Sequence, residues 1–171
     1  MATTIRPATE ADVPQILAFI RALAVYERAP DSVTATEAGL LRDGFGPNPF
    51  YYCLIGDYNG QPAGFALYFF NYSTWNGRPG IYLEDLFVQP EFRGLGVGKA
   101  LLRQVAAIAV EKQCPRLSWA VLDWNTPALD FYRAMGADFL DEWRMVRVTG
   151  EALQQLAGIS AKEAEPAESA Q

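Results

Sequence analysis

Histidine is absent from the 171 residues. That excludes Ser-His-Asp and Cys-His nucleophilic catalysis and histidine-ligated metal centres. Cysteine is scarce: Cys53 and Cys114 are too few and too far apart for a disulfide framework or a zinc cluster. They read as two buried thiols in a reducing compartment, and no metal is expected. Positive charge is also in deficit, with Lys plus Arg at 14, Asp plus Glu at 20 and a net charge of −6. Nucleic acid and anionic membrane both call for a basic surface, so neither is expected as a partner. A small cationic ligand is compatible with this balance. No apolar run approaches the roughly 18 residues of a membrane span. The opening residues, Met1 to Arg6, lack the apolar core of a signal peptide. A cytoplasmic location is expected.

What is present is core-forming material. Half of the residues are hydrophobic and 20% are charged, enough apolar surface for one sizeable core. One domain over residues 1–159 is expected. Residues 160–171, rich in Ala, Glu, Ser and Gln, are expected to be a disordered tail. There is no internal repeat and no interdomain linker.

Thr3 to Arg6 predicts a short strand. A helix capped by Thr9 or Asp12 follows, with Val13, Ile16, Leu17, Ile20, Leu23 and Ala24 on one face. Thr34 and Glu37 match a capping box before a short helix that stops at Gly44. Phe50 to Tyr58 and Ala63 to Tyr72 predict a hairpin about Asn59-Gly60, both of which tolerate positive φ. Ile81 to Val88 predicts a further strand. After a glycine loop, a helix to about Lys112 carries Leu101, Leu102, Val105, Ile108 and Ala109 as its buried stripe. Arg116 to Leu122 reads as a strand, and Thr126-Pro127 opens a helix ending before Gly136. Phe139 to Thr149 predicts one or two final strands, and Glu151 to Ala157 a last helical turn or two. This order implies a mixed α+β domain on one twisted, mostly antiparallel sheet flanked by helices.

The loop Arg93-Gly94-Leu95-Gly96-Val97-Gly98 joins a strand to a helix. Alternate glycines let backbone amides approach an anion, and the helix N-terminus adds partial positive charge. Arg93, Lys99 and Arg103 gather three positive charges there. The dinucleotide fingerprint fails at Lys99, where a third glycine is needed. A P-loop fails at Arg93 and Ala100. A plain tight turn is the alternative.

The pattern Arg93-x-x-Gly96-x-Gly98 resembles the acetyl-CoA pyrophosphate loop of the GCN5-related N-acetyltransferase superfamily. Ile5-Arg6-Pro7-Ala8-Thr9, Asp43-Gly44-Phe45-Gly46, Pro49-Phe50-Tyr51, Tyr82-Leu83-Glu84-Asp85 and Phe131-Tyr132-Arg133 extend the resemblance to the diamine (spermidine/spermine-type) N-acetyltransferase family. It covers about residues 5–157. Ser73-Thr74-Trp75-x-Gly77-Arg78, Ala120 to Asn125, and Ala128 look closer to its thialysine-acetylating branch than to its polyamine branch. The hairpin at Asn59-Gly60 is tighter than the longer loop of animal relatives.

The resemblance implies an acetyl-CoA-dependent N-acetyltransferase of a small diamine or thialysine-like amino acid, working by direct attack. It also implies a homodimer. It places Tyr132 beside the CoA sulfur as the acid for the departing thiolate. A phenol with reference pKa about 10 holds its proton at neutral pH. Helical spacing with Ala128, Phe131 and Met135 equally suits a core tyrosine. Glu84 is implied as the carboxylate that binds the amine and helps remove its proton. Asp85 is its open alternative, because neighbours on a regular strand face opposite ways unless a bulge intervenes. Tyr26, Glu27, Ser118, Trp119 and Ala120 fall at amine-side positions, although Glu27 also reads as a surface acid and Trp119 as core. Leu86, Phe87 and Val88 match the strand whose backbone pairs with the pantetheine arm. Gly94, Leu95, Gly96, Val97, Gly98 and Lys99 match the phosphate loop. Asn125, Thr126, Pro127 and Ala128 complete the cofactor positions.

Two rivals remain. A protein lysine or N-terminal acetyltransferase needs an open peptide groove, whereas the aromatic segment from Phe50 to Trp75 suggests a closed pocket. A non-catalytic CoA-sensing module would be expected to have lost Tyr132 or Glu84.

Overall fold

The computed structural model describes residues 2–159; the expected tail lies outside them. The described residues form two compact units that divide between Asn125 and Thr126.

The first unit is a five-stranded sheet with helices on both faces. Its strands run in sequence order: β1 (Thr3–Pro7), β2 (Tyr52–Tyr58), β3 (Gln61–Ser73), β4 (Arg78–Val88) and β5 (Leu117–Ser118). The first four are antiparallel, and β5 joins β4 in parallel. The sheet is therefore mixed, as the order of elements implied. The helices are α1 (Val13–Tyr26), α2 (Glu37–Phe45) and α3 (Val97–Glu111).

Strand alternation sorts the core into two layers. Cys53, Ile55, Phe65, Leu67 and Phe87 meet Ile16 and Phe19 of α1, with Leu40 and Phe45 of α2 packed alongside. Phe19 stacks on Phe65 with ring centroids 5.4 Å apart. The other face belongs to α3. A Cβ on Gly56 would meet Val97 and Leu101, so glycine there lets the helix lie against β2. Val97, Leu101, Leu102, Val105 and Ala109 are its buried stripe. Each large apolar side chain so buried contributes roughly 1.5–3 kcal/mol.

The hairpin turn is where the sequence places it, with Asn59 at φ 50 and Gly60 at φ 79. Helix α2 differs in its ends. Thr36, not Thr34, is the cap, its hydroxyl accepting from the Gly39 N–H at 3.1 Å. Gly44 does not stop the helix; it sits inside α2 because the Tyr51 ring packs where a Cβ would be. Tyr51 donates to the Leu40 carbonyl at 2.6 Å. A cluster at the start of the chain is held by Arg6, which donates to Asp57 and to Asp12, each at 2.8 Å. Asp12 also accepts from the Thr9 N–H. The guanidinium beside Asp12 holds its carboxyl down at about 2.

Further expectations are corrected. The strand expected over Arg116 to Leu122 is only Leu117–Ser118, paired with Ile81 and Tyr82. Two residues beyond that pairing, β4 is bulged, and a bulge bends a strand away from its neighbour. No strand forms over residues 139–149 of the second unit. Strand preference reflects packing on a pleated neighbour, and Trp143, Met145 and Val146 are exposed there. The aromatic segment is not a closed pocket: Tyr51 and Tyr68 are buried, but Phe50, Tyr52, Tyr72 and Trp75 are exposed. Cys53 is buried as expected, whereas Cys114 is half-buried, and neither is in a disulfide.

The second unit holds α4 (Thr126–Ala134) and α5 (Gly150–Leu156). Helix α4 ends at Gly136, whose φ of 86 suits a left-handed cap. No helix among the described residues is long and apolar enough to cross a membrane.

Candidate active site

The bulge in β4 decides how the two adjacent carboxylates stand. Leu67 pairs with Asp85 and Tyr68 pairs with Leu83, so Glu84 has no cross-strand partner. Asp85 thereby falls on the α1 face with Leu67 and Phe87, half-buried, while Glu84 is exposed. Burial pushes the Asp85 carboxyl up to about 6, with Glu84 and Glu27 adding like charge. Glu27 lies just past the end of α1, and partial burial raises its carboxyl also. Three carboxylates from two elements thus share one field, an environment that favours a cation. Burial also lifts the nearby Cys53 thiol to about 12, so it stays protonated and serves as core.

The glycine loop follows β4 through a 3-10 turn at Pro90–Phe92. Gly94 and Gly96 have φ of 76 and 86, and a Cβ at either would meet nothing within 4 Å. The loop is open on its outer side and held in a backbone conformation that favours glycine. Gly98 lies inside α3 and would carry a Cβ at ordinary contact, 3.4 Å from Val88. The first N–H groups of α3 have no helical carbonyl partner. A helix N-terminus, an open glycine loop and the exposed Lys99 suit a pyrophosphate group. The residues present therefore fit the phosphate-bearing part of acetyl-CoA.

Arg93 also makes contacts within the protein. Its Nε donates to the Val88 carbonyl at 3.0 Å. Its guanidinium lies over the Tyr26 ring, 4.8 Å from the centroid, and 5.7 Å from that of Phe87. Tyr26 donates through its hydroxyl to Asn125 Oδ1 at 2.9 Å. Its ring is 6.1 Å from that of Trp124, over which Arg28 lies at 4.0 Å. Nothing in the local sequence signals this stack, since Tyr26 and Asn125 are 99 positions apart. Sequence reasoning had no place for Arg28 or the Trp124 ring.

Tyr26, Glu27, Glu84, Asp85, Leu86, Phe87, Val88, Arg93 and Asn125 thus gather at one end of the first unit. Ser118 pairs with Tyr82 just before the bulge, and Trp119 and Ala120 follow it. The remaining positions, Thr126, Pro127, Ala128 and Tyr132, lie on α4 of the second unit, where Tyr132 is buried and its ring is 5.4 Å from that of Phe131. Among the described residues, no group of three or more His, Cys, Asp or Glu could hold a metal ion.

The chain is similar to known proteins over most of its length. The sequence model of the Acetyltransferase (GNAT) family matches residues 16–137, across the division at Asn125. Thialysine N-epsilon-acetyltransferase of Bos taurus is 47% identical over 165 residues, covering 90% of this chain and 96% of that protein. The protein of the same name from Mus musculus is 42% identical over 167 residues, covering 91% and 98%. Among solved structures, an integron cassette protein from the mobile metagenome of V. cholerae superposes with a TM-score of 0.77. It is 26% identical and covers 92% of this chain and 98% of that one. The chain belongs to the acetyltransferase (GNAT) family. Its fold is the single acetyltransferase domain expected, and its class of reaction is acetyl-CoA-dependent transfer of an acetyl group to an amine.

Proposed function

We propose that this enzyme acetylates a primary amine of a small diamine or thialysine-like amino acid. The observation that carries the reading is the bulge in β4, which leaves Glu84 exposed beside the half-buried Asp85, a carboxylate that also feels the charge of Glu27. The names of the relatives at 42–47% identity point the same way. Tyr132 and Glu84 are both present, which speaks against a non-catalytic CoA-sensing module.

Acetyl-CoA supplies an activated acyl carbon as its thioester. Backbone groups of Leu86, Phe87 and Val88 would hold its arm, and residues Gly94 to Lys99 its phosphates. Asn125, Thr126, Pro127 and Ala128 would complete the cofactor side. Ser118, Trp119 and Ala120 would border the amine. An alkylammonium has a pKa of about 10 and must lose a proton before it can attack. Asp85 and Glu84 would hold the ammonium, and a carboxylate with a pKa of about 6 is ionised at neutral pH and able to accept that proton. Tyr132 would keep its phenolic proton and give it to the departing sulfur.

Residues 1–159 are read as one catalytic domain, supported by the family match on both sides of Asn125. A homodimer is proposed too, in keeping with the exposed Trp143, Met145 and Val146. The unpaired thiols favour a cytoplasmic site of action. The net charge of −6 speaks against nucleic acid or anionic membrane as a partner.

The test is acetyl-CoA turnover with thialysine, lysine, ornithine, spermidine and spermine, at neutral and alkaline pH. Turnover of the short amines supports the reading, and turnover of none of the five overturns it.

A further inference from the structure

The stack at the end of α1 reaches three segments that the proposed function assigns to the cofactor. Arg93 anchors it in the glycine loop, where Nε is committed to the carbonyl of Val88 on β4. The Tyr26 ring carries the guanidinium on its face. The Tyr26 hydroxyl then reaches the turn after β5, where it occupies Oδ1 of Asn125. Trp124 and Arg28 close the stack, with Arg28 returning to α1 in a left-handed conformation, φ 63. The neighbouring Glu27 points its influence elsewhere, adding to the charge felt by Asp85.

From this we infer that Tyr26 is a positioning residue for the cofactor side of the site rather than a contact for the amine. Two effects follow from its geometry. With Oδ1 accepting from the phenol, the amide of Asn125 is turned so that Nδ2 remains as a donor for a carbonyl of the bound arm. With its face under Arg93, Tyr26 holds the loop against β4, so Val88 and the phosphate cradle keep one spacing. Tyr26 and Glu27, adjacent in the chain, thus serve opposite sides of the reaction. The inference rests on the proposed function.

Tyr26→Phe keeps the ring and removes only the bond to Asn125. A neutral hydrogen bond of ordinary strength corresponds to about a fivefold change. The expected result is about a fivefold rise in the dissociation constant of CoA, measured by calorimetry, and in KM for acetyl-CoA. KM for thialysine should stay within twofold. Tyr26→Leu, which also removes the aromatic face, should weaken CoA at least as much. Arg93→Ala in the Tyr26→Leu background should then cost less than it does alone. Glu27→Gln should show the reverse split, moving KM for the amine and leaving CoA affinity in place. A Tyr26→Phe variant that changes the amine KM but not CoA affinity overturns the inference, as does one that changes neither. If the unaltered protein binds no CoA, the proposed function itself fails and the inference falls with it. If it binds CoA and acetylates an amine while the variants match it, the inference alone fails.

Discussion

Glu84 and Asp85 are neighbours in the chain but not in the sheet's register. Asp85 faces Leu67 across the strand, and the residue before Glu84 faces Tyr68, so the extra residue is Glu84. The consequence is chemical. Regular alternation would separate the two carboxylates onto opposite faces. Here they remain in one field, with Glu27 as the third member.

That field sets the pH dependence. The Asp85 carboxyl titrates at about 6 in the folded protein, against a reference of 3.8. If it accepts the proton of the amine, kcat/KM should rise as pH passes upward through about 6. Asp85→Asn should remove that limb and lower kcat/KM by on the order of 10²-fold. The sign for stability is opposite. The folded state holds the proton more tightly, so this group's contribution falls as pH rises from about 4 through 6. Asp85→Asn should therefore stabilise the protein at pH 8, by on the order of 2 kcal/mol, and leave it little changed at pH 4. Denaturant melts at the two pH values check this.

Asp12 runs the other way. Its carboxyl is held at about 2 by Arg6, below its reference of 3.8. A depressed carboxyl gives stability that is present above about 4 and is lost as pH falls towards 2. Asp12→Asn should lower Tm by about 2–4 °C at pH 7 and lose most of that effect by pH 2. Calorimetric scans across that range measure it.

The glycine loop makes a graded forecast. Gly96 is left-handed and borders open space, so Gly96→Val brings both a strained backbone and a side chain into the cradle. CoA affinity should fall by about tenfold or more, with the fold intact by circular dichroism. Gly98→Val, at an ordinary helical position, should weaken CoA less. Equal CoA affinity in folded Gly96→Val would reduce the loop to a turn.

Much of this was legible in the residues, and for identifiable reasons. Asn59 and Gly60 announced their turn because few residues accept positive φ. The stripe from Leu101 to Ala109 announced α3 because its spacing is helical. The bulge was not legible, since nothing in Tyr82-Leu83-Glu84-Asp85 differs from a regular strand; its cause is the register with β3. Nor could the apolar residues between Phe139 and Val148 reveal that they pair with no strand. The tie from Tyr26 to Asn125 joins the end of a helix to a distant turn, which only the tertiary fold can bring together. The family resemblance directs attention to Tyr132, whose burial on α4 is what helical spacing alone would give.

Tyr132→Phe separates those two meanings. A general acid is worth roughly 10²- to 10⁴-fold in rate. The variant should lose that much in kcat while binding CoA normally. A rate within threefold of the unaltered enzyme would remove Tyr132 from the chemistry and leave it a core residue.

The most direct measurement is a competition: the purified protein, acetyl-CoA, and thialysine and spermine together at one pH, with both acetylated products quantified by mass spectrometry. Glu27 and Glu84 both add charge at Asp85, and three carboxylates are few for the charges spread along a polyamine. Acetyl-thialysine should predominate, giving the higher kcat/KM. Spermine preferred by tenfold would contradict the account and place the enzyme with polyamine substrates.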